Sequence, residues 1–200
     1  MSDLIITPGF TKSGRPYMVF DNVFTDDALS RMMLEIDLNI KPLMRRDNTG
    51  GTEKKHTNAI FLNEVFKDSQ ASNIYKNTRK YMTPEMMGPL SAQHWAFDAL
   101  NGGELTESIQ ILYYEDKDNY GQHTDVSIMT MLFWAFKQPK GFEGGDIILD
   151  NDVTIECKHN RALAMSMKLA HEVTPVKYTA DVPNRGRYCI SNFYNFPNYQ

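Results

Sequence analysis

The sequence predicts an α+β fold, with helices in its first half and, in its second, short strands closed into a sandwich or small barrel. Three observations predict it. Before residue 104, apolar residues recur at helical spacing in two stretches. After residue 105 the chain becomes a series of short runs rich in β-branched and aromatic residues, separated by Gly144-Gly145, Asn151-Asp152 and Asn184-Arg185-Gly186. Finally, no internal repeat, low-complexity segment or linker divides the 200 residues, whose 42% hydrophobic and 23% charged composition suits one ordinary core. One domain, 1–200, is expected, with 1–104 as its supporting part and 105–197 as the part that carries the chemistry.

Taken in order, residues 16–24 read as a short strand and turn. A helix should start at Thr25, because Asp26 and Asp27 place negative charge in its first turn and Leu29, Met32, Met33 and Ile36 then line one face. Residues 41–58 are polar, carry Gly50-Gly51 and show no sustained period, so a long mobile loop is expected. It is either a solvated surface loop or a binding loop in which Arg45, Arg46, Lys54, Lys55 and His56 contact a substrate. A second helix is expected over 69–82, ending before Pro84, with Ile74, Tyr75 and Tyr81 toward the core. Both helices should cover one face of a sheet. The strands are expected at 107–114, 127–136, 146–149, 153–158, 162–167, 172–178 and 187–194.

The formal charge of −4 argues against a polyanionic partner, since nucleic-acid binding needs an excess of Lys and Arg. Cys157 and Cys189 are too few for a disulfide framework, and the first residues lack the basic start and apolar run of a secretory signal, so a reducing cytoplasmic setting is the expectation. The most apolar run, 128–136, is far short of the ~20 residues of a membrane span, so no membrane partner is expected.

His123-Thr124-Asp125, taken with His171, offers two imidazoles and one carboxylate. That is the ligand set of the facial triad that holds non-haem Fe(II) and leaves coordination positions open. The pair directly precedes the apolar run 127–136, so strand alternation places His123 and Asp125 on one face and Thr124 on the other. Further segments follow in order. Tyr114 and Tyr120 lead into His123 and Asp125, then come Phe142-Glu143-Gly144-Gly145-Asp146-Ile147, His171-Glu172-Val173-Thr174-Pro175-Val176 and Gly186-Arg187-Tyr188.

On these segments the second half of the chain resembles the Fe(II)- and 2-oxoglutarate-dependent dioxygenases, most closely their prolyl 4-hydroxylase-like branch. The resemblance implies a double-stranded β-helix of jelly-roll or cupin-like form supported by the N-terminal helices. It implies Fe(II) on His123, Asp125 and His171, and 2-oxoglutarate chelating the iron through its 1-carboxylate and 2-oxo group. The far carboxylate would fall to Arg187, whose planar fork can make two charge-assisted bonds. Strand alternation puts Arg187, Cys189, Ser191 and Phe193 on one face, whereas Arg185, the competing candidate, falls in the preceding turn. Tyr114 is the cosubstrate tyrosine implied by the resemblance, with Tyr113 toward the helices. Where relatives offer another tyrosine, this chain has Phe133 and Trp134, which leaves that hydroxyl missing or supplied by Thr130.

The implied activity uses O2, with ascorbate often restoring the iron, and hydroxylates a C–H bond while 2-oxoglutarate becomes succinate and CO2. A prolyl residue in a peptide or protein is the favoured target by analogy, a free amino acid or other small metabolite the alternative, and a non-catalytic β-barrel binding module the reading from a different class. A nucleic-acid demethylase fits poorly, since its additional arginine and asparagine pattern is not evident. The remaining histidines lack ligand partners: His159 sits in an apparent surface turn, His94 precedes Trp95, and His56 lies in the polar loop. Both cysteines read as small core residues.

Overall fold

A computed structural model describes residues 3–47, 55–81, 88, 91–92, 105–166, 168–179 and 185–197. The chain opens with β1 (Ile5–Phe10) and β2 (Pro16–Asp21), an antiparallel pair. β1 is a strand that the sequence did not suggest, because Pro8-Gly9 interrupts it and Leu4, Ile5, Ile6 and Phe10 are all exposed, leaving no alternation to detect.

Helix α1 (Asp26–Glu35) begins where expected: Thr25 adopts extended backbone and its hydroxyl accepts from the Ala28 N–H, filling one of the four unsatisfied donors of the first turn. It continues as a π-helical turn at Ile36–Ile40 and a 3-10 turn at Lys41–Leu43. The second helical region is more broken than periodicity predicts. It consists of 3-10 turns at Ser69–Ala71 and Arg79–Tyr81 around a short α3 (Asn73–Thr78), after the single turn α2 (Leu62–Val65), while Met82 lies outside the described residues. Glu35 joins the two regions. Its buried carboxylate accepts from Ser72 Oγ (2.6 Å), Asn73 N (2.5 Å) and Asn73 Nδ2 (2.9 Å), so the end of α1 caps the start of α3.

The expected loop at 41–58 is instead largely a hairpin, β3 (Arg45–Asp47) against β4 (Lys55–Phe61); residues 48–54 lie outside the described residues. The period was hidden because the buried positions of β4 begin with Lys55 and Thr57, and polar residues there look like surface. They are satisfied inside: Thr57 Oγ1 donates to the Tyr113 carbonyl (2.9 Å) and Lys55 Nζ to Gln110 Oε1 (3.3 Å).

The second half supplies β5 (Thr106–Tyr114), β6 (Asn119–His123), β7 (Met129–Trp134), β8 (Phe142–Gly144), β9 (Ile147–Leu149), β10 (Val153–Ile155), β11 (Arg161–Ser166), β12 (His171–Val173), β13 (Val176–Tyr178) and β14 (Arg187–Asn195). The run expected at 172–178 is two strands, since Thr174-Pro175 breaks it and sends β12 and β13 to different sheets. The main sheet runs β1-β2-β11-β7-β14-β5-β4-β6-β12-β9-β10, with β3 beside β4, and β13 pairs with β8 apart from it. β4 makes the turn between the layers, for its Asn58–Phe61 part pairs with β5 while Lys55 and His56 pair with β6. The sheet therefore curls on itself as an antiparallel double-stranded β-helix.

Helices cover the outer face of one layer. Phe24, Tyr81 and Phe133 meet with ring centroids 5.4–5.9 Å apart, joined by buried Leu29, Met32, Ile36 and Ile74. The inner face of the curl is left for the site.

Candidate metal centre

His123 is the last residue of β6 and stands opposite His171, the first of β12, with ring centroids 4.2 Å apart. Asp125, before the apolar strand as expected, lies not on an extended strand end but in the loop between β6 and β7. From there it turns back toward both rings, Oδ1 lying 3.6 Å from His123 Nε2 and Oδ2 3.6 Å from His171 Nε2. One ligand atom from each of the three lies within 4.8 Å of the others, and among the described residues no other such cluster of His, Cys, Asp and Glu forms.

The side chains are held for metal binding by their second contacts. Nδ1 of His123 bonds the Gly121 carbonyl and Nδ1 of His171 the Leu169 carbonyl, each at 2.9 Å. A carbonyl only accepts, so each Nδ1 carries the proton and each Nε2 presents its lone pair to the centre. Burial, reinforced by His171, lowers the His123 pKa to about 4, which keeps its imidazole in the neutral, ligating form. Tyr120 stacks on that ring at 3.6 Å. Asp125 Oδ2 accepts from Thr130 Oγ1 at 2.6 Å, and Thr130 is bonded in turn to Ser127. Thr130 thus steadies the carboxylate ligand rather than offering its hydroxyl to a distant anion.

A cavity lined by the triad, Tyr114, Leu132, Cys189 and Ser191 reaches Arg187. Arg187, Cys189, Ser191 and Phe193 share its wall, as alternation along β14 predicts. Arg187 is 0% exposed. Its Nε donates to the Gly145 carbonyl at 2.7 Å, its guanidinium lies over the Tyr114 ring at 4.7 Å, and Nη1 and Nη2 have no hydrogen-bond partner among the described residues. The turn before β9 makes room for it: Gly145 has φ of 71°, and a Cβ there would stand 2.5 Å from Arg187 Cδ. Burial pushes the Tyr114 hydroxyl above the usual tyrosine range, so it remains a protonated donor. Tyr113 faces the other way, against Tyr188 and Lys41.

Arg185 is outside the cavity, half-buried, with Nη1 donating to the Pro139 carbonyl at 3.2 Å. His159 is less exposed than a surface turn suggests, because its Nδ1 accepts from the Phe136 N–H and its ring packs on Phe136. His56 is half-buried on β4, and His94 lies outside the described residues. Cys157 and Cys189 are buried free thiols beside Arg187. Gln110 also lines the cavity; nothing in its local sequence marks it, and only strand pairing brings it there.

Three solved structures share the architecture. A prolyl-4-hydroxylase from Pseudomonas putida superposes with a TM-score of 0.64 at 11% identity, covering 92% of this chain and 94% of that one. A viral collagen prolyl hydroxylase from Paramecium bursaria Chlorella virus-1, solved with 2-oxoglutarate, gives 0.54 at 15% identity over 89% and 94%. An oxidoreductase of the 2OG-Fe(II) oxygenase family from Burkholderia pseudomallei gives 0.58 at 12% identity over 96% and 85%. No protein-family model matches the sequence, and no curated protein matches it. The likeness spans nearly the whole chain, helices and first strands included, and the chain has the double-stranded β-helix fold of the 2-oxoglutarate- and Fe(II)-dependent oxygenases.

Proposed function

We propose that the protein is an Fe(II)- and 2-oxoglutarate-dependent oxygenase that hydroxylates a C–H bond, with a prolyl residue in a peptide or protein as its target. One observation carries the reading: a His123, Asp125, His171 cluster opens a cavity whose inner end holds a buried arginine with both terminal nitrogens unpartnered. Two imidazoles and one carboxylate suit Fe(II) and leave positions for further ligands. A dicarboxylate suits the rest, because an unpaired buried cation is costly and a carboxylate answers both the charge and the orphaned N–H groups. When bound, Fe(II) and 2-oxoglutarate together supply O2 activation and oxygen insertion, 2-oxoglutarate leaving as succinate and CO2.

The chain's own residues supply the rest. His123, Asp125 and His171 would hold the metal, Thr130 and the two backbone carbonyls fix the orientation of these ligands, and Arg187 with Tyr114 would anchor the far carboxylate. The apolar wall of Leu132 and Ile147 keeps water from the reacting end. A peptide-sized target is supported by an open groove lined by Leu43, Arg45, Phe61 and Glu64, which shares the side chain of Gln110 with the metal cavity.

Anaerobic titration with Fe(II) and 2-oxoglutarate should produce a visible charge-transfer band, and a folded protein without that band would sink the cosubstrate assignment. His123→Ala or Asp125→Ala should abolish metal binding. Arg187→Ala should weaken 2-oxoglutarate and spare the metal, whereas a larger effect from Arg185→Ala would overturn the choice of arginine. Mass spectrometry for the gain of one oxygen atom, on a proline-containing peptide library and on free amino acids in parallel, decides between the two target classes, with succinate release as the control.

A further inference from the structure

We propose that the indole N–H of Trp134 is a third donor to the far carboxylate of 2-oxoglutarate, beside Nη1 and Nη2 of Arg187. The proposal rests on reading the cavity as a 2-oxoglutarate site and adds to it a residue that fixes which guest is accepted. Trp134 and Arg187 are both 0% exposed, and the guanidinium carbon lies 5.7 Å from the centroid of the Trp134 ring. Trp134 Nε1, Arg187 Nη1 and Arg187 Nη2 are all buried without a hydrogen-bond partner among the described residues. Each is a donor with no acceptor capacity, so none can satisfy another. Neighbouring orphaned donors call for a guest rich in acceptors, which a carboxylate is and a carboxamide or alcohol is less so.

The surrounding groups do not answer that need. Thr130, on the same face of β7, is occupied with Asp125 and Ser127. The side chains that act most on the guanidinium are Cys157, Cys189 and Tyr114, with no carboxylate among them. A thiol is a weak acceptor, and burial raises both thiols, Cys157 to about 11, so neither is an anion at neutral pH.

The test uses the full chain under argon with Fe(II), titrated with 2-oxoglutarate and separately with pyruvate, which keeps the chelating end and lacks the far carboxylate. Trp134→Phe retains an aromatic ring and removes the N–H; it should weaken 2-oxoglutarate by about 10- to 100-fold, the range of one hydrogen bond to a charged group, and leave pyruvate unchanged. A direct readout follows the unaltered chain. The chain has two tryptophans, so its ¹⁵N spectrum holds two indole N–H signals, and 2-oxoglutarate added with Zn(II) should move the one absent from Trp134→Phe downfield. If the variant binds 2-oxoglutarate as tightly as the unaltered chain, or that signal stays in place on saturation, the indole is not a donor to the guest. Failure of the unaltered chain to bind 2-oxoglutarate would overturn the cosubstrate reading itself, a separate result. Should Trp134→Phe not fold, Trp95→Phe removes the other signal, and the response of the one that remains decides.

Discussion

Replacing Gly145 by alanine probes the inner end of the cavity without touching a metal ligand. At φ of 71° an L-residue occupies the left-handed region at a cost of about 1–2 kcal/mol. The added Cβ would also stand 2.5 Å from Arg187 Cδ, 3.0 Å from Nε and 3.3 Å from Val176 Cγ2, so the arginine stem must shift. Forcing a methyl into a packed interior adds about 1–3 kcal/mol, for a total near 2–5 kcal/mol. In a chain of this size that is a fall of roughly 4–20 °C in Tm. Gly14→Ala is the control, for Gly14 has φ of 78° and nothing within 4 Å of its Cβ direction, so it incurs the backbone part alone. The shift also displaces the Nε bond to the Gly145 carbonyl (2.7 Å) and re-aims the guanidinium, so 2-oxoglutarate affinity should drop at least about tenfold. Calorimetric melting and an anaerobic binding titration measure both. If Gly145→Ala melts with Gly14→Ala and binds 2-oxoglutarate normally, then Arg187 is not held against this turn and the argument fails.

Thr130→Val keeps the shape of the side chain and deletes the 2.6 Å bond to Asp125; metal affinity should fall about 10- to 100-fold by calorimetry, and an unchanged affinity would show that Asp125 needs no such support. Glu35→Ala strips the acceptor from Ser72 Oγ, Asn73 N and Asn73 Nδ2 at the start of α3, which should cost about 2–4 kcal/mol in a denaturant titration, with Glu35→Gln recovering part of it. Asp21 is held below the usual carboxylate range by its hydrogen bonds to Arg161, which tie β2 to β11. Its folded pKa is depressed, so its contribution is complete above the unfolded value of 3.8 and is lost as pH falls through the lower folded one. Melting curves of Asp21→Asn and the unaltered chain should therefore differ near neutrality and converge in strong acid; a constant gap would assign the effect to packing.

The site was more legible in the sequence than the fold that holds it. His123, Asp125, His171 and Arg187 are residue types whose chemistry shows in their order along the chain, and the structure brings all four to one cavity. Strands with a buried apolar face, such as β7 and β14, could be read from composition. β1 and β4 could not, one because its apolar residues are exposed and the other because Lys55 and Thr57 are buried with internal partners. The role of Thr130 was hidden for a related reason: it depends on a loop turning Asp125 back, and nothing local encodes that turn. Trp134 reads as core in any sequence, and only its unpartnered nitrogen beside Arg187 sets it apart.

β4 belongs to both layers of the curl, and this gives it a mechanical character. Its first residues hold β6, the strand that ends in His123, and its last hold β5, which carries Gln110 and Tyr114 on the cavity side. Any load on β4, whose last residues also wall the outer groove, is therefore delivered through one continuous backbone to the strand of His123 and to that of Tyr114 together. A shift of β4 would carry both of those strands in the same movement.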